Sequence, residues 1–232
     1  MNLVFAAPAT PTIAVVDSND RFPVRRIFCV GRNYAAHARE MGQDPEREAP
    51  FFFSKPADAV VQGDHRVPYP PLTQNLHYEA ELVVAIGLGG REIPSVDALS
   101  YVWGYAIGND LTRRDLQLAA REKGRPWDFG KAFDNSAVIG PVHPFERVGH
   151  ISRGVIELTV NGKQKQKADL SDMIWPVPDI ISILSRSIAL QPGDMIMTGT
   201  PEGVGPLEIG DVCMVAIDGL GSISTEIGPK AA

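Results

Sequence analysis

The sequence predicts a mainly β protein with a few helices, of the α+β class, on three observations. Its 22 glycines and 19 prolines are spread along all 232 residues, most apolar runs are short, and few stretches carry helical periodicity. A strand-rich chain of this length fits one large domain and can bury a substantial core without disulfides.

Strands are expected at Arg26–Val30, Pro50–Ser54, Ala59–Val61, Glu79–Ile86, Val102–Asn109, Val155–Val160, Met195–Thr198, Val212–Ile217 and Gly221–Glu226. Asn161-Gly162 after the run ending at Val160 marks a type I′ hairpin turn. Helices are expected at Asn33–Met41, closed by Gly42, and at Leu111–Glu122, with Asp110 or Thr112 as cap. Two more are expected at Val96–Tyr101 and Pro178–Ser187. The polar run Gln43–Ala49 reads as an exposed loop. Residues 1–23 read as an extended N-terminal arm, because the apolar start lacks a basic region and carries Pro8 and Pro11. Residues 24–232 then form the working domain.

Charge and composition narrow the function. The formal net charge of −6 argues against a general nucleic-acid binder, which needs a basic face. No apolar run reaches the ~18 residues of a membrane span, and a cytoplasmic enzyme is the expectation. Cys29 and Cys213 lie in apolar strand-like runs, where reduced buried thiols are expected. Serine-hydrolase, zincin and phosphate-loop motifs are absent from the sequence.

His77-Tyr78-Glu79-Ala80-Glu81 is the most informative segment. In a strand, Glu79 and Glu81 point to one face, and two carboxylates that close repel unless a cation or proton lies between them. A solvated strand face would show the same spacing. Asp110 follows the apolar run Val102–Gly108, where a strand end faces an open site, although a helix cap is its ordinary role. Three carboxylates without cysteine or paired histidine would favour Mg²⁺, Mn²⁺ or Ca²⁺ over zinc. Arg114 and Gln117, three apart, share a helix face that would lie beside such an ion or face water. His37 and Glu40 also share a face, as a water-activating pair or a surface contact. Lys131 sits amid apolar and small residues, either reaching solvent or held over a developing anion. Thr198-Gly199-Thr200 opens a Gly/Thr turn whose amides could cradle an anion.

Taken together, these segments resemble the fumarylacetoacetate hydrolase family. The matching stretches are Gly31–His37, Phe53–Pro56, Tyr78–Leu82, Gly108–Gln117, Gly130-Lys131 and Thr198–Gly205, in order, across residues 24–227. The short chain places the resemblance in the acylpyruvase-like branch, and Arg25–Val61 is similar to bacterial fumarylpyruvate hydrolases. The resemblance implies a mixed β-sandwich or roll, usually a homodimer, with Mg²⁺ or Mn²⁺ on Glu79, Glu81 and Asp110. It implies a substrate site formed by Arg32, Tyr34, Lys55, Arg114, Gln117 and Thr200, with Lys131, His37 and Glu40 catalytic. It also implies a small diketo acid as partner and, as reaction, metal-dependent C–C hydrolysis of an acylpyruvate in aromatic catabolism, fumarylpyruvate giving fumarate and pyruvate. Oxaloacetate decarboxylation, hydroxy-diene-dioate isomerisation and a non-catalytic metal-binding domain are the competing readings.

Overall fold

A computed structural model describes residues 3–35 and 49–230. Two packed β-sheets carry the architecture, and the site grows from the larger one. That sheet has eight strands and runs in the order Phe51–Lys55, Arg26–Gly31, Asp194–Met197, Ala80–Ile86, Val102–Asp110, Ala137–Ile139 and Val60–Gln62. His143–Pro144 pairs with the early part of Val102–Asp110. Asp194–Met197 lies parallel to Arg26–Gly31 and antiparallel to Ala80–Ile86.

The central strands are apolar without alternation because both their faces are covered. Phe28, Val30, Leu82, Val84 and Ile86 enter one core, while Ile27, Cys29, Val83 and Ala85 enter another. A five-stranded sheet closes the first core: Lys163–Asp169, Val155–Val160, Val212–Ile217, Gly221–Gly228 and Arg66–Pro68, in that order. Its strands alternate buried and exposed residues, with Ile156, Leu158, Val215 and Ile217 inward. The helix Val177–Ser187 adds Ile180, Ile181 and Leu184 to the same core.

The second core is capped by a ribbon from the N-terminal arm. Thr12–Ala14 pairs with Arg21–Pro23, and Ile13, Val15 and Phe22 are buried. The ribbon's apolar residues find a sheet face that would otherwise meet water.

All nine anticipated strands are present, within two residues at each end. Asn161 and Gly162 both have positive φ, 51° and 74°, as a type I′ turn requires. The helix expected from Leu111 starts instead at Arg114. Thr112–Arg113 are drawn into a short ladder with Leu76 and His77, and neither Asp110 nor Thr112 caps the helix. The helix expected at Asn33–Met41 and the loop Gln43–Ala49 fall largely outside the described residues. Both cysteines are free and buried.

Asp194 anchors the strand that joins the two halves of the central sheet. Fully buried, it accepts Arg26 Nε at 2.9 Å and Arg26 Nη2 at 2.6 Å, Arg25 at 3.1 Å, and the Gln191 amide at 2.8 Å. Asp194→Ala leaves this cluster without its anion. The arginines can still reach water, so the loss should fall at the low end for a broken buried pair, about 3 kcal/mol. A melting temperature lower by about 6–12 °C in calorimetry is the expected result.

Candidate active site and metal centre

The acidic cluster forms where two adjacent strands of the central sheet end. Glu79 precedes Ala80–Ile86, Glu81 lies inside it, and Asp110 closes Val102–Asp110, which pairs Ala80 with Asn109. One carboxylate oxygen from each of Glu79, Glu81 and Asp110 lies within 4.8 Å of the others. Their exposures are 5%, 2% and 0%, so water cannot disperse the charge. A solvated strand face is thereby excluded.

Three cations surround the cluster. Lys131 Nζ donates to Glu79 Oε2 and Asp110 Oδ2, both at 2.7 Å. Arg114 Nη2 donates to Glu79 Oε1, and Arg114 Nη1 to Gln117 Oε1. Lys55 Nζ stands 2.8 Å from Asp110 Oδ1 as an ion pair, off the hydrogen-bond direction, and donates to the Leu111 and Lys131 carbonyls. Burial disfavours a charge on Lys131, but Asp110 and Glu79 outweigh it and hold its pKa above the ordinary lysine value. His77 stays neutral at pH 7, because burial and the Arg114 guanidinium push it down to about 4.

Glu81 carries the tension of the site. Burial, then Asp110, then Glu79 push its pKa well above the usual carboxylate range, with Lys131 and the Gly199 N–H pulling back only in part. That amide donates to Glu81 Oε2 at 2.8 Å. The anion cradled by the Gly/Thr turn is therefore the protein's own carboxylate. Only glycine fits there: φ is +97°, and a Cβ would lie 2.8 Å from that of Asn33. The Asn33 carboxamide in turn binds the Trp175 and Thr198 backbone.

A buried carboxylate that needs a counter-ion, beside an Asp110 oxygen without a hydrogen bond, fits a hard divalent cation. The linkage has a definite sign. A raised native pKa means that the folded, ion-free protein keeps a proton which the unfolded chain releases. Its stability is then fully present below the ordinary carboxylate value and is lost as pH rises toward the raised one. In EDTA the melting temperature should fall from about pH 5 upward. Mn²⁺ at a hundred times its Kd should add about 2.7 kcal/mol, or about 5–10 °C, and at a fixed Mn²⁺ concentration the gain should grow with pH.

Glu79, Glu81 and Lys131 form the floor of a cleft also lined by Arg32, Arg114, Gln117 and Thr200 among others, with Asp110 buried behind them. Phe51, Phe53 and Trp127 wall it, with Trp127 edge-on to Phe51 at 5.2 Å. Arg32, at φ 61°, lies over the Phe51 ring. Thr200 is held by Gln166 Nε2 at 2.8 Å, and Gln166 also binds the Pro201 carbonyl and the Ala80 amide.

Two residues expected on the substrate side are placed elsewhere. Lys55 is buried behind Asp110, where its ammonium balances that carboxylate. Tyr34 is buried in the main core and does not line the cleft. His37 and Glu40 lie outside the described residues. Sequence reasoning missed Gln166, Asn109 and the aromatic wall. Asn109 Oδ1 accepts the Glu79 amide at 3.0 Å and lies in the Gly108–Gln117 stretch, so a signal for it existed.

The profile of the fumarylacetoacetate (FAA) hydrolase C-terminal family matches residues 26–228. The chain belongs to this family. Among family members, the Ralstonia fumarylpyruvate hydrolase is 45% identical over 186 residues, covering 80% of this chain and 96% of that protein. The human mitochondrial oxaloacetate tautomerase is 40% identical over 203 residues, covering 88% and 91%. The crystal structure of Pseudomonas aeruginosa fumarylpyruvate hydrolase in complex with Mn²⁺ and pyruvate superposes with a TM-score of 0.97 at 54% identity, covering 99% and 100%. The mixed, mainly β fold of the family is the fold seen here.

Proposed function

We propose that this chain is a Mg²⁺- or Mn²⁺-dependent acylpyruvate hydrolase that converts fumarylpyruvate to fumarate and pyruvate. The observation that carries the reading is the buried Glu79–Glu81–Asp110 triad facing Lys131 on the cleft floor. Its charge balance indicates the substrate. Three carboxylates are matched by Lys55, Lys131 and Arg114, so a divalent ion leaves two positive charges, enough for a carboxylate and an enolate together. Likeness to a fumarylpyruvate hydrolase solved with Mn²⁺ and pyruvate supports the same assignment.

Glu79, Glu81 and Asp110 would hold the ion, and Ca²⁺ suits the same oxygen ligands. When bound, it supplies Lewis acidity to a chelating 2-oxo acid. His37, oriented by Glu40, takes a proton from water as its oxygen adds to the distal (C4) carbonyl. The C3–C4 bond then breaks, its electron pair passes to C3, and protonation there completes pyruvate. Lys131 offsets the developing negative charge, an effect often worth several kcal/mol. Arg32 or the two uncommitted Arg114 N–H groups receive the substrate carboxylate, with Gln117 and Thr200 as flanking polar contacts.

Residues 24–232 are taken as the catalytic domain and 1–23 as an arm that covers it. No helix among the described residues is long and apolar enough to cross a membrane. A cytoplasmic homodimer acting in aromatic catabolism completes the reading. Loss of fumarylpyruvate absorbance, with acetylpyruvate and oxaloacetate in parallel, tests it. EDTA-sensitive release of fumarate and pyruvate is the expected outcome. Carbon dioxide from oxaloacetate without cleavage of either acylpyruvate would transfer the chain to the decarboxylases.

A further inference from the structure

The helix Arg114–Glu122 offers the cleft more than the acid cluster uses. Arg114, Gln117, Leu118 and Arg121 all line it, spaced as successive turns of one helical face. Arg114 donates to both Gln117 and Glu79. Leu118 is apolar, and Arg121 ends the row about 10 Å along the axis from Arg114. Helical side chains lean toward the N-terminus, which brings the Arg121 head back over the cleft. No carboxylate among the described residues forms an ion pair with it. The rings of Phe51, Phe53 and Trp127 line the same cleft.

This row would measure an extended substrate: cation and metal site at one end, apolar walls in the middle, a second guanidinium at the other. We propose that Arg121 is a specificity-determining residue that receives the distal carboxylate of an acylpyruvate with a flat, acid-terminated acyl arm. The inference rests on the acylpyruvate reading and deepens it. Aromatic faces suit a planar conjugated arm, and a guanidinium fork suits the carboxylate at its tip.

The Mn²⁺-loaded enzyme and its Arg121→Gln and Arg121→Lys variants would be assayed with fumarylpyruvate and with acetylpyruvate, whose arm ends in a methyl group. Arg121→Gln should lower kcat/KM for fumarylpyruvate by about 10–100-fold, mainly through KM. The loss with acetylpyruvate should be at least about tenfold smaller, and Arg121→Lys should recover part of the fumarylpyruvate rate. Equal losses on both substrates, or none on fumarylpyruvate, would overturn the assignment. Calorimetric binding of fumarate to the Mn²⁺-loaded protein reads the same contact without turnover. Weaker binding to Arg121→Gln supports the contact even if no acylpyruvate is cleaved, and unchanged binding refutes it. Failure of the wild-type protein to cleave either acylpyruvate, by contrast, sinks the proposed reaction.

Discussion

Glu81→Gln should abolish activity while making the ion-free protein no less stable, and the two effects share one cause. The substitution keeps the side-chain shape and an oxygen to accept the Gly199 N–H, and it removes a charge that burial and two neighbouring carboxylates oppose. The ion-free variant should therefore melt at or above the wild-type temperature in EDTA. The stabilisation by Mn²⁺ should vanish, because a neutral amide is a poorer ligand for a hard cation. Turnover should drop by about 10³-fold, the equivalent of roughly 4 kcal/mol of transition-state stabilisation. Differential scanning calorimetry with and without Mn²⁺, run beside the fumarylpyruvate assay, checks both halves. An active variant with an intact Mn²⁺ shift would remove Glu81 from the metal site.

His37→Ala should separate chemistry from metal binding. A positioned general base contributes about 10²–10⁴-fold, so kcat should fall by that factor. The Mn²⁺-induced rise in melting temperature should persist, because the acidic triad is untouched. Loss of the Mn²⁺ shift in this variant would mean that His37 helps hold the ion. A small change in kcat would leave water activation to another group. Glu40→Gln should give a milder loss in the same direction.

How much of this was legible beforehand depended on locality. Leu82–Ile86 announced itself as a strand because a segment covered on both faces is apolar without alternation. Asn161-Gly162 announced its turn because few residue pairs accept two positive φ angles. Lys163–Asp169 had no such signal: Lys163, Gln164, Lys165 and Lys167 face water along an outer strand, and pairing with Val155–Val160 sets its register. Thr112–Arg113 left the expected helix because a ladder with Leu76–His77 claimed them first. Within the site, the carboxylates were visible from their spacing and position. The part played by Lys55 was not, because its place behind Asp110 and beside the Leu111 carbonyl, the latter 56 positions away, depends on distant segments folding together. Gln166 was hidden for the same reason: one buried glutamine in a charged strand becomes visible only once the strand packs.

The strand Asp194–Met197, between Arg26–Gly31 and Ala80–Ile86, also sets an order of events during synthesis. Both neighbours leave the ribosome long before the strand that joins them. At roughly 5–20 residues per second, the chain from Arg26 to Asp194 takes on the order of 10–30 s to make. From the synthesis of Ile86 onward, two strands each lack one native partner edge, and Glu81 lacks the Gly199 amide that later anchors it. Ion capture is thus a late event in the life of the nascent chain. Until residue 197 emerges those edges lack their native partner, so the yield of the chain should respond to chaperone supply and lower growth temperature before it responds to added manganese.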